Sequence, residues 1–205
     1  MTPGVALVLG LLVGLNLPAG EPPRQSVGGG LLLPGTQSVL DHGRSLARPR
    51  LYQVGPVVDF CAHWLPGSWV EPRLRATAFH LFQGSGRLPG MGAADGEATG
   101  LQLSLEAQLH LGDPARTGGY VVLGLGGRWT RVSLLVDGLT PTDRSFHGTA
   151  ATLALGVGLR LARDWEVELR TDGALATQPR LRLEPTLADL DPDPGGVVLV
   201  TRRRF

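Results

Sequence analysis

Charged side chains fall at every second position along several stretches of this 205-residue chain. Glu71, Arg73 and Arg75 do so in "WVEPRLRATAFHLF", and Glu166, Glu168, Arg170 and Asp172 do so in "DWEVELRTDG". Asp59, Glu106 and Arg160 take equivalent places in "GPVVDFCAHW", "GLQLSLEAQLHLG" and "LALGVGLRLA". A period of two sends successive side chains to opposite faces of a β-strand, so these residues share one face that carries both signs. If that face lines a closed interior, the charges must pair, because an isolated buried charge costs several kcal/mol or more. The chemistry this predicts is an interlocked Arg–carboxylate network filling the inside of a barrel. A narrow polar pore or gated channel is the alternative for the same residues.

Catalysis asks for more. A lipid-modifying enzyme needs a nucleophile with a histidine beside it near the lipid surface. The histidines, His42, His63, His80, His110 and His147, are scattered. His80 is the candidate base because it falls on the apolar register of its strand; Ser104 and Ser133 are nucleophile candidates only by elimination. The preferred reading of His80 is an interfacial residue near the outer rim, and His110 points inward. No two histidines have the close spacing of a zinc-binding helix. The single cysteine, Cys61, excludes an internal disulfide and a multi-cysteine metal site. "GLGGRW" and "VGGG" do not open a helix after a strand, as a phosphate loop must. "DPDPGG" lacks the spacing of calcium ligands and reads as an exposed turn. The sequence therefore points to no catalytic residue, no metal and no cofactor, and to no particular binding residue.

The elements that must hold these charges are strands. In "GLQLSLEAQLHLG", Leu101, Leu103, Leu105, Leu109 and Leu111 alternate with Gln102, Ser104, Glu106, Gln108 and His110. Helical spacing would scatter these leucines, whereas strand spacing puts them on one face. The hairpin that follows Gly148 repeats the pattern on both arms, with its turn near 162–164. "LYQVGPVVDFCAHW" sets Tyr52, Val54, Val58, Phe60 and Trp64 opposite Gln53, Gly55, Asp59 and His63, with aromatic residues at both ends of the apolar face. "GGYVVLGLGGRWTRVSLLVD" predicts a long strand with a kink or bulge at Gly126–Gly127.

The opening stretch "GVALVLGLLVGLNL" belongs to the same series. Large residues at odd positions alternate with mostly small ones at even positions, which suits a strand in a narrow barrel. A cleaved secretory signal is the competing reading, but the first basic residue is Arg24, so the basic leader of a signal is missing. With this stretch there are eight strands, near 4–17, 51–64, 69–83, 99–111, 119–137, 148–161, 164–183 and 195–205, in one domain over 1–205. Long connections near 18–49, 84–98, 138–147 and 185–194 alternate with short ones near 65–68, 112–118 and 162–164. Short turns at one rim and long loops at the other are the pattern of transmembrane barrels, and each strand reaches the 9–11 residues that cross a bilayer. The fold expected is all-β: an eight-stranded antiparallel up-and-down transmembrane barrel. A soluble β-sandwich or lipocalin-like barrel is the alternative, with the charged face in water.

Composition agrees with many strands and many turns. Hydrophobic residues make up 42% and charged residues 18%, with 30 Gly and 16 Pro. That is too apolar for disorder and too interrupted for helical membrane spans. There is no Lys and no Ile, so all 19 basic residues are Arg, which codon bias in a GC-rich genome accounts for. A net charge of +1 gives no electrostatic case for nucleic acid, and the terminal "TRRRF" is local.

Taken whole, the chain resembles the small eight-stranded outer-membrane barrels of Gram-negative bacteria. The resemblance lies in the architecture and in hairpins such as "LALGVGLRLARDWEVELRTDGAL". The terminal Phe205 is similar to the aromatic C-terminus that such barrels present to the assembly machinery, although Arg203 stands where that signal carries an apolar residue. The resemblance implies an integral outer-membrane protein in contact with outer-membrane lipid. It is expected to be monomeric and non-enzymatic, with a structural role or a surface-binding role through its long loops. The alternatives are a soluble β-rich binding module, and an outer-membrane lipid-modifying enzyme or narrow pore.

Overall fold

The computed structural model describes residues 23–41, 44–88, 92–114, 116–136, 144–161, 164–178, 181–183, 188–191 and 193–205. In chain order the strands are β1 (Arg24–Pro34), β2 (Ser38–Asp41), β3 (Arg44–Ala47), β4 (Gly55–His63), β5 (Val70–Leu88) and β6 (Gly92–His110). They continue with β7 (Gly118–Val136), β8 (Arg144–Arg160), β9 (Trp165–Gln178), β10 (Leu181–Leu183), β11 (Ala188–Asp191) and β12 (Gly196–Arg204). The ring β1-β12-β9-β8-β7-β6-β5-β4 closes on itself, and a second sheet runs in the order β10-β11-β2-β3. Every neighbouring pair in the ring is antiparallel.

The first strand is not where the sequence pattern put it. The stretch 4–17 lies outside the described residues. The closing position belongs to Arg24–Pro34, which pairs with β12 from Ser26↔Arg204 to Pro34↔Gly196 and with β4 from Arg24↔His63 to Leu32↔Gly55. The expected loop 18–49 thus holds β1, β2 and β3. "SVGGGLLLP" obeys the period of two after all: Val27, Leu31 and Leu33 are exposed, while Ser26 and Leu32 are buried. Its inward face is partly glycine for a reason of space. A methyl on Gly28 would overlap the Thr201 carbonyl and the Cγ of Arg202.

Three further expectations change. The region 84–98 is not a loop but the top of a tall hairpin in which β5 and β6 stay paired to Leu88↔Gly92, with one irregularity between Leu81 and Gly84. The stretch 164–183 is two strands: β9 stays in the ring and β10 joins the second sheet. β7 passes Gly126–Gly127 with unbroken register to both neighbours, so there is no bulge there. Instead, a Cβ on Gly126 would lie within 2.9 Å of the Ser104 backbone, so the glycine lets two strands curve together on the inside of a narrow ring.

Outside and inside are cleanly divided. The outward rows are apolar over about ten residues per strand, as in Leu101 to Leu111 on β6 and its extension, with Leu101 at 59%, Leu125 at 57% and Val157 at 57% exposure. Exposed aromatic residues bracket this band, with Trp69, Trp165 and Phe205 by the short turns and Phe82 and Trp129 toward the long connections. Inside there are two storeys. Toward the short turns the lumen is filled by charged side chains. Toward the other rim it is filled by an apolar cluster that includes Leu32, Val57, Phe79, Leu81, Val132 and Val198. Val39 and Leu190, opposite each other in the second sheet, join this cluster, as do Leu51 and Tyr52. Tyr52 was expected on the outer face. It is buried because residues 51–53 run beside β5 above the end of β4, where the Gly84 amide donates to the Leu51 carbonyl at 3.2 Å and the Gln53 amide to the Phe82 carbonyl at 2.9 Å.

Candidate functional site: the filled lumen

Glu168, on the inward face of β9, is the hub of the charged storey. Arg75 Nη1 and Arg202 Nη2 both reach its carboxylate, Arg73 Nη2 donates to it at 2.8 Å, and the Tyr120 hydroxyl donates at 3.3 Å. Glu106, on β6, accepts from Arg73 Nε at 2.7 Å, Arg170 Nη1 at 2.8 Å and the Ser104 hydroxyl at 2.7 Å. Asp59, on β4, accepts from Arg75 Nε at 2.5 Å and the Thr77 hydroxyl at 3.0 Å, and lies 3.2 Å from Arg202 Nε. Asp172 holds Arg170 Nη2 at 2.6 Å. These groups are almost wholly removed from solvent, so each carboxylate is stabilised by the guanidinium forks around it rather than by water.

A second cluster closes the short-turn rim. Glu71 sits 2.9 Å from Arg204 Nη2, 3.5 Å from Arg160 Nη2, 3.3 Å from His110 Nε2 and 3.7 Å from His63 Nδ1. It also accepts the Gly67 amide at 2.9 Å, which pins the β4–β5 turn. Glu166 pairs with Arg204 at 2.7 Å and Arg160 at 3.3 Å. His63 Nε2 lies 3.0 Å from the Ser26 hydroxyl, tying β4 to β1 across the closing seam.

All ten residues singled out from the sequence, Asp59, Glu71, Arg73, Arg75, Glu106, Arg160, Glu166, Glu168, Arg170 and Asp172, are buried and lie in these two clusters. The sequence reading missed Arg202 and Arg204, which the run of three arginines disguised: Arg202 and Arg204 are inward and only Arg203 is outward. It also missed Arg128, hidden in a glycine-rich string, and Asp193. The Arg128 guanidinium donates to Gln102 at 3.0 Å, to the Asp172 carbonyl at 3.2 Å and to Asp193 at 2.8 Å. "DPDPGG" is therefore not an exposed turn at Asp193, whose side chain is 8% exposed. Burial, with the nearby charge of Asp191 adding to it, holds the Asp193 carboxyl above its ordinary pKa in spite of Arg128. Burial, then the charges of Asp193 and Asp191, likewise pushes the Tyr52 phenol up.

Glycine lets long side chains cross a strand inside so narrow a ring. Gly28 stands between Asp59 and Arg202 in the ladder, and their ion pair passes over it. Gly158 stands between Tyr120 and Glu168, and the Tyr120 ring lies where a Cβ of Gly158 would be.

The structure does not bring the candidate serines Ser104 and Ser133 to His80. His80 is on the outer wall, 3.7 Å from Glu97, and Glu97 in turn lies opposite Ser133. The carboxylate thus separates the serine from the histidine, whereas a nucleophile needs the base between itself and the acid. Ser104 is inside and is spent on Glu106. Among the described residues, no group of three or more His, Cys, Asp or Glu side chains is arranged so that it could hold a metal ion.

A closed eight-stranded ring with an apolar outer wall, and an interior packed with charged side chains at one end and apolar ones at the other, defines the transmembrane type of β-barrel. Among solved structures, the chain is similar to the outer membrane protein OprG from Pseudomonas aeruginosa, with a TM-score of 0.54 and 14% identity, over 90% of this chain and 97% of that one. It is also similar to Ail, the attachment invasion locus protein of Yersinia pestis, alone and in complex with the heparin analogue sucrose octasulfate. Those two matches have TM-scores of 0.46 and 0.47 at 12% identity, over 90% of this chain and 100% of that one. No protein-family model and no curated protein matches the chain. At such identities the likeness to OprG is one of fold.

Proposed function

We propose that the chain is an integral protein of the bacterial outer membrane that works without enzymatic chemistry. In this reading its barrel is a sealed, rigid support. The tall β5–β6 hairpin and the second sheet at the far rim are the parts available to a surface partner. The observation that carries the reading is the belt of exposed apolar side chains around a ring with no free edge. In water such a belt would far exceed the apolar patch a soluble monomer tolerates, whereas in hydrocarbon it is the favourable surface. Phe205, exposed at the short-turn rim, is free to meet the assembly machinery, and nothing in the reading needs more than one copy of the chain.

The experiment is extraction and refolding. The protein should need detergent to stay in solution and should run faster unboiled than boiled on a denaturing gel. Leu125→Arg, in the middle of the belt, should lower its stability in bilayers by about 2–4 kcal/mol. A chain that stays dispersed without detergent, with Leu125→Arg neutral, would overturn the reading in favour of a soluble β-rich module.

A further inference from the structure

Among the described residues, Leu65 is the one non-glycine residue in the left-handed region, with a backbone φ of 53°. There the Cβ of an L-residue crowds the following carbonyl, so glycine or asparagine is the usual occupant. A leucine can offset that strain by burying its side chain, yet Leu65 is 52% exposed in the β4–β5 turn. The conformation is imposed from inside the barrel. The Gly67 amide donates to buried Glu71 at 2.9 Å, the Trp64 amide to the Pro72 carbonyl at 2.9 Å and the Ser68 amide to the Leu65 carbonyl at 3.1 Å. The turn is thus clamped by the same carboxylate that Arg204 and Arg160 hold. The run "WLPGSW" carries no charge. Exposed apolar residues of the wall continue into it from both strands, from Phe60 past half-buried Trp64 to Leu65, and from Val70 to Trp69. The other short turns differ. The β6–β7 turn shows Asp113 and Arg116, 3.2 Å apart, and the β8–β9 turn shows an exposed Asp164.

We propose that the β4–β5 turn is a wedge seated in the leaflet at the short-turn rim, with Leu65 at the boundary between acyl chains and headgroups. The inference rests on the outer-membrane reading above and adds one surface to it. An exposed leucine on a strained backbone regains little from its own chain, so what favours it lies outside the chain. The occupant is lipid because the turn is continuous with the wall that faces hydrocarbon. Tryptophan on either side of Leu65, with an apolar body and a polar N–H, suits headgroup depth. The seat is one-sided. In the ring order the β8–β9 turn lies across the barrel from the β4–β5 turn, and it ends in charge. The barrel is therefore held deeper in this leaflet on the β4–β5 side than on the β8–β9 side.

The test places a nitrobenzoxadiazole fluorophore on the full chain in phosphatidylcholine bilayers, at Leu65→Cys and separately at Gly112→Cys in the β6–β7 turn, where an added Cβ meets nothing within 4 Å. Cys61 is wholly buried and gives no background in the folded barrel. Mobility on unboiled gels confirms insertion in each case. The fluorophore at 65 should be quenched several-fold more by lipid brominated near the acyl carbonyl than by aqueous iodide, and the one at 112 should show the reverse. Iodide quenching at 65 as strong as at 112 would overturn the seat, put the turn in water within reach of a soluble partner, and leave the outer-membrane reading standing. A second measurement removes the strain. Leu65→Gly and Leu65→Asn both relax the backbone, so conformation alone would raise the urea midpoint at which the unboiled band is lost. With the leucine seated in lipid, both should lower that midpoint, asparagine more than glycine. A midpoint for Leu65→Gly at or above that of the wild type would overturn the wedge. Failure of the wild type to insert would overturn the outer-membrane reading and the wedge together.

Discussion

Arg202 and Arg203 are neighbours in sequence and opposites in physics. Arg202 is wholly buried, with its guanidinium between Asp59 and Glu168. Arg203 is exposed, and its guanidinium carbon lies 5.8 Å from the Phe205 ring centroid. Removing one partner from a buried charge network leaves the others without compensation, so Arg202→Gln should cost about 3–5 kcal/mol. Arg203→Gln removes only an exposed cation–π contact and should cost under about 1 kcal/mol. Denaturant titration followed by the unboiled gel shift separates the two. Similar losses for both would mean that the inward face of β12 has been assigned wrongly. The same pair shows why the charged face was only partly legible in the sequence. Glu166, Glu168, Arg170 and Asp172 stand out because apolar residues alternate with them. In "TRRRF" inward and outward residues have the same chemistry, so a period of two leaves no trace. Asp193 was illegible for a different reason. Its burial depends on a connection folding into the lumen to meet Arg128, and no local pattern records that.

At the scale of elements, the strands of the middle of the chain could be read because leucine, valine and alanine recur at every second position along their outer faces. The closing strand could not. β1 has Gly28 and Gly30 on its inward face so that Arg202 and the chain of β12 can lie against it, and three consecutive glycines look like a loop. The opening stretch 4–17 shows the period of two more plainly in its sequence than Arg24–Pro34 does. The consequence is testable by deletion, with an export signal supplied in each case. Removing residues 24–34 takes away the partner of both β4 and β12 and should abolish the heat-modifiable band, because two unpaired edges in hydrocarbon are costly. Removing residues 1–17 touches none of these pairings and should leave the band in place. A second element prediction concerns the connection before β12. The Gly35 amide donates to the carbonyls of Pro194 and Gly195 at 3.0 and 2.7 Å, so its exchange with solvent reports whether that connection is seated. Burial raises the Asp193 carboxyl above its ordinary pKa, so the folded state favours the protonated form. The contribution of this group to seating is complete below the carboxyl's unfolded value near 3.9 and declines as pH rises through the raised one. Protection of the Gly35 amide should therefore fall, not rise, from acid to neutral pH. Asp193→Asn should flatten the profile, and protection that increases with pH would refute the assignment.

For the whole molecule, the two storeys act in series along one axis. An ion crossing the short-turn half would have to displace guanidinium–carboxylate contacts that are each compensated only by one another, at a cost of several kcal/mol per group left unpaired. An ion crossing the other half would meet the apolar cluster of Leu32, Phe79, Leu81, Val132 and Leu190, which offers no ligand to replace its water. Either half is enough to stop conduction, so weakening one should not open the barrel. Arg128→Ala removes the tie that holds the Asp193 connection in the lumen but leaves Glu168, Glu106 and Asp59 with their arginines. In planar bilayers both the wild type and Arg128→Ala should therefore insert without steady current steps. Reproducible open levels from the wild type would mean that the charged storey rearranges in the membrane into a path for ions, and the lumen would then have to be read as a gated pore rather than as a packed core. Current from Arg128→Ala alone would mean that the apolar storey and its tie are the only seal, and that the paired charges below it line a water-filled space instead of filling it.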